Sequence, residues 1–314
     1  MQKNIVAEPQ LAGQGKQKIE WVKRNMPILR QIEDDFRKHQ YFSGLRVLVC
    51  IHLEAKTAYL AQVFAAGGAE VAVTGSNPHS TKDDVVAALA EEGMHVYARY
   101  GATPEEMRQY MNRALDVRPN IMIDDGGDIA ELLHTERQEL LPEVLGACEE
   151  TTTGVLRAKA RAKAGVLEFP VVLINDARCK YLFDNYHGTG QSVWDGVMRT
   201  TNLVVSGKTV VIIGYGWCGK GCAERAQGLG ANVIVCEVDP IKAADALMHG
   251  LRVMPLNQAV PEGDIILTVT GGKHVIRQEH YERMKDGVIL ANAGHFKIEF
   301  DLDALLNLSV EQKE

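Results

Sequence analysis

The run Val210-Val211-Ile212-Ile213-Gly214-Tyr215-Gly216-Trp217-Cys218-Gly219-Lys220-Gly221 limits what this chain can fold into more than any other stretch. A short β-branched run stops at a glycine cluster and a helical segment restarts behind it, which is how a dinucleotide pyrophosphate is held. Gly214 allows the tight turn, Gly216 lets backbone N–H groups approach phosphate, and Gly219 lets helix and strand pack closely. Trp217, Cys218, Lys220 and Gly221 fall in the opening turns of that helix, whose positive end points at the anion. A second β-run, Asn232-Val233-Ile234-Val235-Cys236, ends in Glu237, at about the 20-residue spacing of a ribose-binding acid. Strand, helix and acid agree on a Rossmann domain that binds NAD.

A carboxylate accepts hydrogen bonds from both ribose hydroxyls and repels the 2′-phosphate of NADP. Glu237 therefore favours NAD, although Lys242, five residues on, would soften the repulsion. The alternative for Glu237 is a solvated acid at a strand end.

The 314 residues suffice for two domains with sizeable cores. A net charge of −7 argues against a nucleic-acid partner, which would call for a basic excess. No apolar run reaches membrane-spanning length, and Met1-Gln2-Lys3-Asn4-Ile5-Val6 lacks the apolar core of a secretory signal. The expected setting is cytoplasmic, with no membrane partner. Six cysteines are scattered without a Cys-x-x-Cys pair or a histidine at zinc spacing, so no metal site is expected. Cys50 and Cys236 lie in β-runs and read as small core residues.

Along the chain an amphipathic helix over residues 15–39 opens an alternation of strands and helices. Expected strands are 46–51, 69–74, 95–98, 120–124 and 171–175, with helices over 57–66, 82–92 and 104–116. A second series starts at Lys208, with strands near 210–213, 232–236, 252–255, 265–268 and 288–291. Residues 184–206, with a helix over 191–202, bridge the two series. The fold class is α/β: two doubly wound parallel-sheet domains, 1–183 for substrate and 184–314 a Rossmann domain for NAD, with a cleft between them.

Polar residues crowd the strand ends of the first series. They are His52, the run Asp124-Asp125-Gly126-Gly127-Asp128, the run Glu149-Glu150-Thr151-Thr152-Thr153-Gly154, and Lys180 with Asp184-Asn185. An acid followed by two glycines suggests close approach of backbone to a ligand. Each has a plainer alternative: Asp128 or Thr153 as a helix cap, Lys180 as a surface lysine. The second series adds Asn292-Ala293-Gly294-His295 just past a buried strand.

These motifs, with Ser76-Asn77-Pro78, Ser80-Thr81, Phe183-Asp184-Asn185, Glu237-Val238-Asp239-Pro240-Ile241 and Ala293-Gly294-His295-Phe296, run in register along essentially the whole chain. The chain resembles the adenosylhomocysteinase family of NAD-dependent hydrolases of S-adenosylhomocysteine. It is similar to the compact bacterial and archaeal branch, with Thr189 where many eukaryotic members have cysteine. The resemblance implies a small-molecule nucleoside thioether substrate and a homo-oligomer, a tetramer. It also implies a route around the poor leaving group. The ribose 3′-hydroxyl is oxidised to a ketone, the acidified C4′ proton is removed, homocysteine is eliminated, water adds, and the ketone is reduced again.

In that scheme Lys180 and Asp184 act around the 3′-hydroxyl. Lys180 takes its proton, which calls for a pKa lowered by a neighbouring nicotinamide cation. His52 and Asp125 do acid–base work at C4′ and C5′, Glu150 holds ribose hydroxyls, and His295 sits near the purine or ribose from the cofactor side. Thr151, Thr152, Thr153 and Asn185 contact the nicotinamide end, and Lys242, Ala293, Gly294 and His295 complete the cofactor set.

Two departures from the family stand out. At His52-Leu53-Glu54-Ala55-Lys56-Thr57 many members read His-x-Thr-x-Gln-Thr, and the replaced positions read the purine. Glu54 would accept from N1–H of hypoxanthine and Lys56 would donate to O6, which makes S-inosylhomocysteine the alternative substrate. Otherwise Glu54 and Lys56 pair with each other and adenine is still accepted. Secondly, the family continues well past the point matching Glu314, with a return segment and a tail. Weak NAD retention and low activity in isolation are the expectation from that difference. A non-catalytic NAD-binding regulatory paralogue and an ordinary dehydrogenase that releases NADH are the competing readings.

Overall fold

The computed structural model describes residues 4–295 and 297–313. Phe296 of the Ala293–Phe296 motif, Met1-Gln2-Lys3 of the N-terminal reading, and Glu314 lie outside them. The chain divides into two compact units, residues 1–175 and 176–314.

The first unit carries a parallel sheet of β1 (Arg46–Ile51), β2 (Glu70–Gly75), β3 (His95–Tyr97), β4 (Ile121–Asp124), β5 (Gly146–Glu149) and β6 (Val171–Leu173). Their spatial order is β3-β2-β1-β4-β5-β6, so the winding reverses at β1/β4, where α/β sheets open a crevice for ligands. Strand alternation splits the core into two layers. Val47, Val49, Val71 and Val73 pack one face, and Leu48, Cys50, Ala72 and Met122 pack the other. The expected helix over 15–39 is two helices, Ala12–Arg24 and Pro27–His39. Pro27 has no N–H to donate and forces Met26 out of the helical region, so the chain breaks there. Strand β5 was not anticipated: Gly146-Ala147-Cys148-Glu149 is four residues of weak β character, paired on both sides by β4 and β6.

The second unit holds β7 (Thr209–Ile213), β8 (Asn232–Cys236), β9 (Arg252–Val253), β10 (Ile265–Thr268) and β11 (Ile289–Asn292), ordered β11-β10-β7-β8-β9 and parallel. Val210, Ile212, Val233 and Val235 face one core layer and Val211, Ile213, Ile234 and Cys236 the other. Its reversal falls at β7/β10, directly behind Gly214. Both units are thus doubly wound α/β. Among the described residues, no helix is long and apolar enough to cross a membrane.

Candidate active site

In the first unit the tips of β1, β2 and β4 bring three side chains together. His52 follows β1, and its Nε2 lies 3.5 Å from Asp125 Oδ2 just past β4. Ser76, at the end of β2, donates to that same oxygen at 2.6 Å. The other imidazole nitrogen, Nδ1, is 2.6 Å from Ser80 Oγ, which fixes the ring. Asp125 is buried while about half of the histidine side chain reaches solvent, so the ring is open to a ligand while a carboxylate backs its Nε2.

Behind this group lie two more buried acids. Asp124 accepts from the N–H groups of Asp125 and Ala130, both at 3.0 Å. Burial and the nearby Glu149 carboxylate push its pKa up to about 8, against the pull of those two amides. Burial likewise raises Glu149, whose Oε1 accepts from Gly126 N at 3.0 Å and Thr151 N at 2.9 Å. The intervening turn has Gly126 at φ +98° and Gly127 at φ +78°, a left-handed pair that side chains disfavour. Arg157 holds it by donating to Gly126 O and Asp128 Oδ1, both at 2.7 Å.

Asp128 therefore pairs with an arginine and does not cap its helix. The cap of the helix Thr152–Ala164 is Thr151, whose hydroxyl accepts from Gly154 N, and not Thr153. Thr152 Oγ1 accepts from the buried Asn175 amide at 3.1 Å. Glu150 is half-buried, its N–H bonded to Asp124 O.

Glu54 is the N-cap of the helix Ala55–Ala66, its Oε1 accepting from Lys56 N at 2.9 Å and Thr57 N at 3.4 Å. It meets Lys56 through the backbone amide, and the Lys56 side chain is exposed.

In the second unit the glycine fingerprint has the geometry its spacing predicts. Gly214 turns at φ +100°, and a methyl on Gly219 would sit 2.0 Å from Gly214 O, so the helix Trp217–Gly228 can reach the strand only through glycine. At Gly216, by contrast, an added Cβ would meet nothing within 4 Å: the backbone there faces open space at the N-terminal end of a 12-residue helix. Glu237 Oε2 accepts from Tyr215 N at 2.7 Å, and Oε1 from Val238 N at 2.7 Å and Asp239 N at 3.0 Å. Burial opposes its charge, but those amides and Lys242 outweigh it and hold the carboxyl below its usual range. Three of about four lone-pair sites are used, which leaves one acceptor for a ribose hydroxyl. Open backbone, helix end and ionised acid together fit a dinucleotide.

Lys220 pairs with Asp245 and lies over the Tyr215 and Trp217 rings. Lys242 is exposed and lies 3.9 Å from Asp239. Trp217 stacks on Tyr181 with centroids 4.6 Å apart. Cys218 and His295 are half-buried. Gly221 is a packing glycine, since its Cβ would fall 1.9 Å from Tyr186 O. Ala293 N bonds to Thr268 O and Gly294 N to Asn292 Oδ1. A residue that sequence reasoning missed, the buried Glu299, accepts from Thr270 N, Thr270 Oγ1 and Gly271 N and fixes the loop after β10.

Lys180, Asp184 and Asn185 also belong to the second unit. They flank and enter a π-helical stretch, Tyr181–Gly188, that runs into the helix Thr189–Thr201. The widened turn puts residues four and five ahead beside the same lysine: Lys180 Nζ donates to Asn185 Oδ1 at 2.6 Å and lies 3.3 Å from Asp184 Oδ2. The Lys180 side chain is largely covered, and Asp184 is exposed.

Residues 3–140 match the S-adenosyl-L-homocysteine hydrolase family, and residues 185–314 match that family's NAD binding domain. An adenosylhomocysteinase of Pyrococcus abyssi is 56% identical over 98% of this chain and 72% of its own length. An S-inosyl-L-homocysteine hydrolase of Methanopyrus kandleri is also 56% identical, over 96% of this chain and 71% of its own length. A dipicolinate synthase A chain from Bacillus subtilis shares the fold at 15% identity and a TM-score of 0.52, covering 87% of this chain and 88% of its own. The chain belongs to the S-adenosyl-L-homocysteine hydrolase family, and its second unit is that family's NAD-binding domain.

Proposed function

We propose that this chain catalyses NAD-dependent hydrolysis of S-adenosyl-L-homocysteine to adenosine and homocysteine. The observation that carries the reading is the His52–Asp125–Ser76 group at the reversal point of a sheet, in a chain whose second unit is a NAD-binding domain of this family. NAD, when bound, supplies reversible oxidation of the ribose 3′-hydroxyl. Gly214, Gly216 and the N-terminal amides of the helix Trp217–Gly228 would hold its pyrophosphate, and Glu237 would hold its adenosine ribose.

Lys180, as the neutral amine, takes the proton of the 3′-hydroxyl and becomes the ammonium, with Asp184 and Asn185 orienting its Nζ. His52, backed by Asp125, moves protons at C4′ and C5′, so that the thiolate leaves by elimination and water adds in its place. Glu150 holds ribose hydroxyls, and His295 meets the nucleoside from the cofactor side. An NAD-binding chain of this kind is proposed to work in the cytoplasm as a homo-oligomer.

A second reading keeps the chemistry and changes the base. Glu54 is committed as an acceptor at the head of its helix, and hypoxanthine offers N1–H where adenine offers a lone pair. Relatives of equal identity carry both names. Homocysteine release from S-adenosyl- and S-inosylhomocysteine, measured with wild type and Lys180→Ala, tests both readings. Lys180-dependent release from either nucleoside supports the hydrolase, and the ratio of rates names the purine. No release from either, by folded protein that binds NAD, overturns it and favours the regulatory paralogue.

A further inference from the structure

We propose that Glu149 is a positioning residue that ties the loop carrying Asp125 to the loop carrying Glu150. The proposal rests on the acid–base and ribose-holding roles given above to those two residues. Glu149 closes β5, between β4 and β6, and its side chain is almost wholly buried. One oxygen, Oε1, receives three donors: Gly126 N at 3.0 Å, Thr151 N at 2.9 Å and Thr151 Oγ1 at 3.3 Å. Gly126 is the residue after Asp125, and Thr151 the residue after Glu150. A single atom thus sets the spacing of two loops that are also joined at their base by Glu150 N donating to Asp124 O.

The carboxyl group is itself held from behind. A Cβ on Gly154 would lie 2.0 Å from Glu149 Cδ and 2.2 Å from each oxygen, so the helix Thr152–Ala164 presses its first turn against the carboxyl. Glycine at 154 is therefore part of the same device. All three donors converge on one oxygen, so a glutamine can reproduce the bonds, while a methionine of similar length cannot. Charge is not what the clamp needs; an acceptor at that point is.

The test compares Glu149→Gln, Glu149→Met and Gly154→Ala in NAD-loaded protein. The readouts are homocysteine release, binding of adenosine and inosine, and hydrogen-exchange protection of the Gly126 and Thr151 amides. Glu149→Gln is expected to stay within roughly threefold of wild-type kcat and to keep both amides protected. Glu149→Met and Gly154→Ala are expected to lose on the order of 10²-fold in kcat with smaller changes in KM, and to lose that protection. Gly154→Ala leaves residue 149 untouched and carries the comparison if Glu149→Met does not fold. Wild-type turnover in either disruptive variant overturns the proposal, as does a glutamine variant that fails as badly as methionine with its amides still protected. If wild type itself releases no homocysteine, the hydrolase reading fails, and amide protection with nucleoside affinity still decides the clamp.

Discussion

Ser76 donates its hydroxyl to Asp125 Oδ2 at 2.6 Å, and that oxygen lies 3.5 Å from His52 Nε2. Three strand tips, far apart in sequence, thereby share one carboxylate oxygen. A charge-assisted bond of this kind contributes about 1.5–3 kcal/mol. Ser76→Ala should therefore lower kcat by about tenfold or more with little change in KM, and should lower the melting temperature while the protein still folds. Steady-state kinetics beside a thermal melt would check this, and an unchanged kcat would remove Ser76 from the machinery.

The fingerprint glycines should fail in different ways. Gly219→Ala puts a methyl 2.0 Å from Gly214 O, so the second unit should melt lower and lose NAD together. Gly216→Ala has open space around it, so folding should survive while NAD affinity falls by roughly tenfold or more, because the methyl stands where backbone meets phosphate. Titration with NAD and a melting curve for each variant separate the two; equal behaviour would contradict the assignment.

Glu237 uses three backbone amides to stay ionised, and in its proposed role that charge excludes a 2′-phosphate. Glu237→Ser should weaken NAD and narrow its advantage over NADP by about tenfold or more. Competitive binding of the two dinucleotides gives the answer. An unchanged ratio would return Glu237 to a purely structural role.

Asp124 keeps its proton up to about pH 8 in the folded chain because burial and Glu149 disfavour its charge. An unfolded aspartic acid ionises near pH 4, so its contribution to stability is full below that point and is lost as pH rises from about 4 to about 8. Denaturant unfolding of wild type should show stability falling through that window. Asp124→Asn should flatten this component, whatever its effect on absolute stability, and an identical slope in the two proteins would refute the cause.

Threonine is a good N-cap, so Glu54→Thr with Lys56→Gln should keep the helix Ala55–Ala66 capped. If Glu54 and Lys56 face the purine, the inosine-to-adenosine rate ratio should fall by about tenfold or more. Rates on the two thioethers measure this, and a constant ratio would leave the pair a structural one.

Most of the two sheets was legible because buried parallel strands are rich in β-branched and other apolar residues: β1, β8 and β10 span the residues expected of them. The glycine fingerprint was legible because Gly214 and Gly219 answer local steric demands. The break at Pro27 lay in plain view, but the amphipathic pattern continues across it and masks the stop. Strand β5 was hidden because its pairing on both sides, not its propensity, makes it a strand. Arg157 and Glu299 were invisible for another reason, and so was the part Glu149 plays within its polar run: each acts by bonding backbone amides or carbonyls of a distant loop, and nothing local records the partner. The π-helical turn that brings Asn185 to Lys180 is equally silent, since its five-residue step mimics an ordinary helix.

In the proposed chemistry, oxidation and reduction close within one turnover. The most direct test follows homocysteine thiol and reduced nicotinamide in the same reaction, with NAD equimolar to protein and a thioether substrate in large excess. Thiol accumulating far beyond the amount of NAD, with no net NADH, is the predicted result. NADH rising mole for mole with substrate consumed would contradict it and make the protein a dehydrogenase.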